Sequence, residues 1–285
     1  MFIHLKNVFY TYNLHMPFQT EALKSINIMI EKGEFIGIIG HTGCGKTTLL
    51  QLIDGLLEPT EGQILIDGID IHKDRSKLKE VRKRIGLAFQ YPENQFFEET
   101  IYKEIAFGPK NLGISDDKMK DMVKKALAMV GMDYYLYKDR SPFSLSGGEM
   151  RRVAIASILA IDPEVIILDE PTASLDAQSR DKLLALIKNL YQRYNRTIIL
   201  VSHNMEIIAE LTRRLIVMEN GRILMDDTPR KIFQESIEKL ESIGLSLPPV
   251  TNLMYKLKKI GKPVNSGILT VEEAKEEILK IVKKK

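Results

Sequence analysis

Gly40-His41-Thr42-Gly43-Cys44-Gly45-Lys46-Thr47-Thr48 is the stretch on which the reading of this 285-residue chain turns. It fits G-x-x-x-x-G-K-[ST], the pattern of a phosphate-binding loop. Upstream, Phe35-Ile36-Gly37-Ile38-Ile39 is a short apolar run of the kind that forms a buried strand. Downstream, Leu49-Leu50-Gln51-Leu52-Ile53 reads as the first turns of a helix. The chemistry needs strand, loop and helix in this order. Gly40, Gly43 and Gly45 let the backbone N–H groups turn inward as a nest for phosphate oxygens. The helix N-terminus adds unpaired donors and partial positive charge. In such a loop Lys46 reaches the β- and γ-phosphates of a nucleotide, and the Thr47 hydroxyl is a ligand for Mg²⁺.

Composition bounds the class. At this length folding buries about 75% of the chain's surface. An apolar content of 44% and a charged content of 28% are ordinary for a soluble globular protein. Forty-one basic against 38 acidic residues leave a net charge of +3, without the clustered basic face that marks nucleic-acid binding. The single cysteine, Cys44, excludes an internal disulfide framework and a cysteine-rich zinc site, and fits a reducing compartment. No apolar stretch approaches the ~18 residues of a membrane span. The start, Met1-Phe2-Ile3-His4-Leu5-Lys6, reads as a strand and not as a signal peptide. The expectation is a soluble, intracellular protein.

Phe2 to Tyr12 and Ala22 to Ile30 alternate well enough to be strands, separated by a loop from Asn13 to Glu21 that contains Pro17. Tyr12 can fold back beside the nucleotide and stack on its base, or pair as a cross-strand aromatic with Phe9 and Tyr10. Gly62 to Gly68 is a further strand, Leu78 to Arg84 a charged helical connector, and Ile85 to Phe89 a buried strand ending at Gln90. A glutamine at that edge points into the crevice where open α/β sheets bind ligands. There it can hold the attacking water or Mg²⁺, or be no more than a surface residue. Pro92 forces a turn, and from Asn94 to Ala160 helical spacing replaces strand signals. Met119, Met122, Val123, Ala126, Leu127 and Val130 form one apolar stripe behind an N-cap at Ser115. These methionines read as core, in a helical subdomain inserted into an α/β body.

Leu145-Ser146-Gly147-Gly148-Glu149 precedes Met150 to Ile161, a helix apolar on most of its surface. Two glycines and a serine at a helix N-terminus make a second anion site. Val165-Ile166-Ile167-Leu168-Asp169-Glu170 is an apolar strand ending in two carboxylates. Asp169 in this position holds Mg²⁺ through water, and Glu170 polarises the water that attacks the γ-phosphate. Asp176, after the turn Ala173-Ser174-Leu175, caps a helix from Ala177 to Tyr191. Thr197 to His203 is another buried strand, whose terminal histidine is either structural or a γ-phosphate contact at the same sheet edge.

The order of phosphate loop, Gln90, Leu145-Ser146-Gly147-Gly148-Glu149, Asp169-Glu170, Ser174-Leu175-Asp176 and His203 resembles the ATP-binding-cassette (ABC) nucleotide-binding domain over about residues 1–235. The resemblance implies an α/β P-loop NTPase fold with an antiparallel β subdomain and an inserted α-helical subdomain at about 92–160. It also implies a head-to-tail pair of cassettes with ATP sandwiched between the loop of one and the signature of the other. Tyr12 then takes the adenine-stacking position, and Asp176 the loop that faces the partner. The segments Phe89 to Phe97, Phe107 to Leu112 and Gly40 to Gly43 look more narrowly like the ATPase subunits of energy-coupling factor (ECF) transporters, which import vitamins and cobalt or nickel ions. The insertion around Pro17 to Glu21 and the tail from Leu247 to Thr270 look most like the second ATPase paralogue. Cys44 and Thr47 stand where serine is commoner, and both are small.

By that resemblance, Tyr91 to Phe97 meets the coupling helices of a transmembrane scaffold protein, its alternative being an internally packed helix. A second ABC ATPase subunit (paralogue or self), the scaffold and a substrate-binding membrane subunit are the implied partners, with no nucleic acid. The chain would then sit peripherally on the cytoplasmic face of the membrane. The cassette is expected over 1–240 and a helical dimerisation or regulatory extension over 241–285. Just before that extension, Pro229 to Leu240 reads as one amphipathic helix. A helix from Pro248-Pro249 carries Leu253, Leu257 and Ile260 on one side until Gly261 and Pro263 break it. A last helix follows the capping box Thr270-Val271-Glu272-Glu273 and carries Ala274, Ile278, Ile281 and Val282. These helices hold the dimer together or pack on their own cassette, and Lys283-Lys284-Lys285 is a solvated end. The expected activity is ATP hydrolysis driving an importer, with Glu170, His203, Gln90 and Lys46 in the chemistry. A soluble ABC-type ATPase acting on nucleic acid or in assembly is the alternative. Bound nucleotide is expected to shield the Cys44 thiol.

Overall fold

Apolar β-branched runs form the strands, and stretches with one apolar stripe form the helices. The computed structural model describes residues 2–73 and 75–282; Lys283, Lys284 and Lys285 lie outside them. The chain opens with β1 (Ile3–Tyr12), β2 (Thr20–Ile30), β3 (Phe35–Ile39), α1 (Lys46–Ile53), β4 (Glu61–Ile66), β5 (Ile69–Asp70), α2 (Arg75–Arg84) and β6 (Ile85–Ala88). A helical stretch follows with α3 (Ile101–Asn111), α4 (Asp116–Met129), α5 (Tyr134–Tyr137) and α6 (Gly147–Leu159). The strands resume with β7 (Val165–Asp169), α7 (Ala177–Tyr194), β8 (Thr197–Val201), α8 (Met205–Leu211), β9 (Arg214–Glu219) and β10 (Arg222–Asp227). Four helices close the chain: α9 (Pro229–Glu235), α10 (Ile237–Ser242), α11 (Pro249–Lys259) and α12 (Val271–Val282).

A six-stranded sheet in the order β10-β9-β3-β8-β7-β6 carries the body, and a four-stranded sheet β2-β1-β4-β5 lies against it. In the large sheet only the β9–β10 pair is antiparallel, whereas every pairing in the small sheet is. Strands β3, β7 and β8 are buried at every residue, as parallel strands covered on both faces must be. Their alternation sorts the core. Ile36, Ile38, Ile167, Ile199 and Val201 face the cluster that includes α1 and the small sheet, and Phe35, Ile39, Ile166, Ile198 and Leu200 face the helical side. A third, smaller cluster joins Met254, Val264, Ile268 and Ala274 in the C-terminal helices.

Local details depart from the sequence expectations for clear reasons. The loop after β1 ends sooner than expected, because Thr20 and Glu21 pair with Tyr12 and Thr11. Ser115 stands at the N-cap of α4 without a side-chain cap bond. The helix expected over Pro229 to Leu240 breaks at Ser236 into α9 and α10. On α11 the buried residues are Thr251 and Met254; of the expected face Leu257 packs against that core, while Leu253 and Ile260 are exposed. The capping box of α12 is half made: Thr270 Oγ1 accepts from Glu273 N, but the Glu273 carboxylate accepts from Leu269 N and pairs with Arg230.

Asp54 ends α1 only 9% exposed, and burial pushes its carboxyl up to about 7 against the pull of Arg82. A carboxyl raised in the folded state contributes stability fully below its unfolded value near pH 4, and loses it as pH climbs through about 7. Asp54→Asn is therefore expected to stabilise the protein by about 1–3 kcal/mol at pH 8, with the gain vanishing near pH 4. Denaturant melts of both proteins at the two pH values measure this, and a gain independent of pH would contradict it.

Candidate nucleotide site

The phosphate loop leaves β3 between its parallel neighbours β8 and β9. Gly40 must lack a side chain: a Cβ there would lie 2.4 Å from Met218 O and 2.6 Å from Cys44 Sγ. Gly45 sits at φ 102° as the N-cap of α1, with no side chain capping the helix. A Cβ at Gly45 would meet Ala22 O at 2.6 Å, so the loop is pressed onto β2. The first-turn N–H groups of α1 therefore remain for an anion. Lys46 is buried, its ammonium donating to Gly40 O at 2.8 Å and His41 O at 3.0 Å, with Cys44 Sγ at 3.8 Å. The Cys44 thiol is fully buried beneath the loop, and burial raises its pKa. The fold itself covers the sulfur, so the expected protection by nucleotide has nothing to act on.

The acidic strand arrives alongside. Asp169 pairs in register with Val201 of β8, and its Oδ2 accepts from Thr47 Oγ1 at 3.0 Å. Burial raises the Asp169 pKa, and the Thr47 bond opposes the rise. Glu170 turns off the strand at φ 49°, anchored by its N–H to Val201 O at 3.0 Å. Its carboxyl is pushed up to about 7, first by burial and then by Asp169 beside it, which matches a base to neutral pH. Glu170 Oε1 is buried without a hydrogen-bond partner, 3.4 Å from His203 Nε2. Burial, and then the Lys46 ammonium, lower the His203 pKa. His203 lies just past the strand, since β8 stops at Val201 where the Ser202 hydroxyl takes the N–H of Asn204.

One cavity of about 580 Å³ collects these groups: Lys46, Thr47, Gln90, Asp169, Glu170 and His203 line it. Thr42, Gly43, Gly45 and Thr48 supply its loop wall, and Tyr12 its outer rim. The Tyr12 hydroxyl meets Thr48 Oγ1 at 3.1 Å, and its ring stands edge-on at 4.8 Å to Tyr10 on the same strand, while across the strands Tyr12 faces Thr20 and no aromatic. Gly40, His41 and Cys44, expected with them, do not line the cavity. Thr20, Glu21, Ala22 and Val201 also line the cavity; nothing in their types marked them, because their place follows from the way β2 and β8 run past the loop.

The helix start expected as a second anion site is separate. Ser146, Gly148, Glu149 and Asp176 line a hollow of about 330 Å³ with Arg152 and Lys182, and Gly147 begins α6 beside it. Ser146 caps α6, and the Glu149 carboxylate turns back to take Ser146 N at 3.0 Å, Ser146 Oγ at 2.8 Å and Tyr137 OH at 2.8 Å. Those bonds hold its carboxyl down at about 2, so it stays ionised. Asp176 caps α7 through Ser179 N at 2.9 Å. No residue lines both hollows.

A phosphate loop, a strand-end carboxylate pair and a second, glycine-rich anion site define an ATPase of the ATP-binding-cassette class. Residues 23–173 match the ABC transporter family. An energy-coupling factor transporter ATP-binding protein EcfA2 of Clostridium tetani is 52% identical over 285 residues, covering 100% of this chain and 99% of its own length. One of the same name from Caldanaerobacter subterraneus is 51% identical, covering 99% and 98%. The solved cbiO1 of Clostridium perfringens, part of the ABC transporter complex cbiONQ, superposes with a TM-score of 0.74 at 34% identity, covering 89% of this chain and 98% of its own. The dimeric ABC transporter cassette MJ0796 gives 0.70 at 32% identity, covering 80% and 98%. The chain belongs to the ABC transporter family, among the energy-coupling factor transporter ATP-binding proteins.

With the thiol enclosed, iodoacetamide at pH 8 is expected to modify Cys44 at least about tenfold more slowly than a free thiol, equally with and without MgATP. Mass spectrometry over a time course measures this. Fast labelling that MgATP suppresses would place the sulfur on the nucleotide side of the loop.

Proposed function

We propose that this chain is the ATP-hydrolysing subunit of an energy-coupling factor importer, powering uptake of a vitamin or a transition-metal ion. The observation that carries the reading is the unpartnered Glu170 Oε1 in the cavity that Lys46, Thr47, Asp169 and His203 also line. Tyr12 stacks on adenine at the rim, held in orientation by Thr48. The loop N–H groups and the N-terminus of α1 bind the phosphates. A phosphate oxygen replaces the weak sulfur contact of Lys46, the longest of its three. Glu170 takes a proton from the attacking water, and His203 donates to the γ-phosphate as its charge develops.

Mg²⁺ fits the donors present. Thr47 Oγ1 and Asp169 Oδ2 are hard oxygens 3.0 Å apart, and the Gln90 amide lines the same cavity. Among the described residues no three His, Cys, Asp or Glu side chains form an all-protein cage, and Mg²⁺ carried on nucleotide phosphates needs only one or two protein ligands. When bound, it would neutralise phosphate charge.

The second hollow explains the need for a partner. Ser146, Gly147 and Gly148 face the ATP of a second cassette, paralogue or copy, while Asp176 reaches the interface between them. Glu149 supports that surface as a cap. Among the described residues no helix is long and apolar enough to cross a membrane, so attachment to the cytoplasmic face is through other subunits. A groove of about 460 Å³ between the large sheet and the helical subdomain is lined by Phe89, Phe96, Phe97, Glu104 and Phe107. Phe97 and Phe107 stand edge-on at 4.7 Å and exposed, and the Glu104 carboxylate holds the N–H groups of Phe97 and Glu98. This preformed aromatic groove suits a coupling helix of the membrane scaffold. The extension over 241–285, with Leu253, Ile260, Val271 and Val282 outward, braces the cassette pair.

Glu170→Gln is expected to cut ATP turnover by at least about 100-fold while retaining ATP affinity, and to trap a closed cassette pair. Steady-state hydrolysis, nucleotide titration and sedimentation of the membrane-extracted complex read these. Co-purification through a tag on this chain should bring a second cassette and a polytopic membrane protein. Recovery from the soluble fraction alone, or with nucleic acid, would move the function to a non-transport ATPase. Rapid turnover by the variant would remove Glu170 from the chemistry.

A further inference from the structure

The largest fully buried side chain is a charged one, Arg151, only 1% exposed in the second turn of α6. A buried guanidinium is costly unless its donors are met, and here two distant segments take up its two terminal nitrogens, while Nε lies beside the Glu93 carboxylate as an ion pair without a hydrogen bond. On one side is Glu93 in the turn Pro92–Gln95, whose Oε1 accepts from Nη2 at 3.0 Å and whose Oε2 lies 2.8 Å from Nε. On the other is the backbone just beyond the catalytic strand. Nη1 donates to Pro171 O at 2.9 Å and, more weakly, to Glu170 O at 3.5 Å, while Nη2 also reaches Ala173 O at 3.4 Å. A second tie runs in parallel: Tyr91 OH meets Ser174 Oγ at 3.0 Å, and the Arg151 guanidinium sits over the Tyr91 ring at 5.6 Å. Tyr91, Glu170 and Ser174 all hold φ near +50° to +60°, at 56°, 49° and 61°, a conformation that residues with side chains adopt only where surroundings impose it.

We propose that Arg151 is a positioning residue that straps the segment Tyr91 to Phe97 to the backbone carrying Glu170 and the turn before Asp176. The inference rests on the function proposed above and adds a physical route within it. Movement of the aromatic groove's edge displaces Glu93 and Tyr91, and through the rigid guanidinium fork it shifts the carbonyls of Glu170, Pro171 and Ala173. Because arginine's donors lie in one plane, they cannot follow one segment without loading the other. Lysine at this position keeps the charge but not the fork.

The test uses the complex purified from membranes through a tag on this chain. ATP kcat and KM are measured for wild type, Arg151→Lys, Arg151→Met, Glu93→Gln and Tyr91→Phe, and a fluorescent nucleotide counts binding-competent sites. The strap requires kcat per competent site to fall at least about tenfold in Arg151→Met and at least about threefold in Glu93→Gln and Tyr91→Phe. KM stays within about twofold, and Arg151→Lys rescues only in part. Glu93→Gln combined with Tyr91→Phe, which leaves Arg151 in place, keeps the test open if Arg151→Met fails to fold. A merely structural role would lower the number of competent sites and leave kcat per site unchanged, and that result overturns the strap. Absence of hydrolysis in wild type, or Glu170→Gln at wild-type rate, would instead overturn the function on which it rests.

Discussion

Everything in the site depends on three parallel strands lying side by side with both faces buried. Strands β3, β8 and β7 are adjacent and in register, so their C-terminal ends must emerge along one edge. That edge receives the phosphate loop, then Ser202-His203, then Asp169-Glu170. This packing brings segments more than 120 positions apart to within a hydrogen bond, as Thr47 and Asp169 are. The apolar burial that drives these strands together is therefore also what assembles the polar site.

The site's electrostatics follow from that same burial. Burial at a dry strand end raises the pKa of both carboxyls, and the Asp169 charge adds to the rise at Glu170. The Lys46 ammonium and the Thr47 hydroxyl hold the balance. Glu149, by contrast, is ionised because three donors converge on it. The N-terminus of α1 has no side-chain cap, while that of α6 is closed by the capping box of Ser146 and Glu149. Among the described residues the two hollows share no lining residue, which fits the proposal that they act across a pair of cassettes.

The helical insertion shares its core with the sheet, leaving one aromatic groove at the junction. Arg151 links the Glu93 turn at that junction to the carbonyls of Glu170 and Pro171, a connection that an apolar residue in its place would lack. The C-terminal helices α11 and α12 keep a small core of their own. They are anchored to α9 through Arg230, which pairs with Glu273 and with Gly267 O.

Most of the cassette was legible in the sequence because its signals are local. A buried strand, a glycine-rich turn and a helix start each sit within a dozen residues, and the motif residues they carry appear where the local chemistry demands. The register of β7 against β8, the burial of Cys44, the exposure of Leu253 and Ile260, and the break at Ser236 were not legible, since each is set by what packs against the segment from elsewhere. Arg151 was in plain view as a charge inside an apolar helix, yet its partners lie 58 positions before it in Glu93 and 20 after it in Pro171. Sequence alone determined the chemistry of each motif. Tertiary structure decided which motifs meet, because hydrogen bonds and desolvation act over a few ångströms in space whatever the distance along the chain.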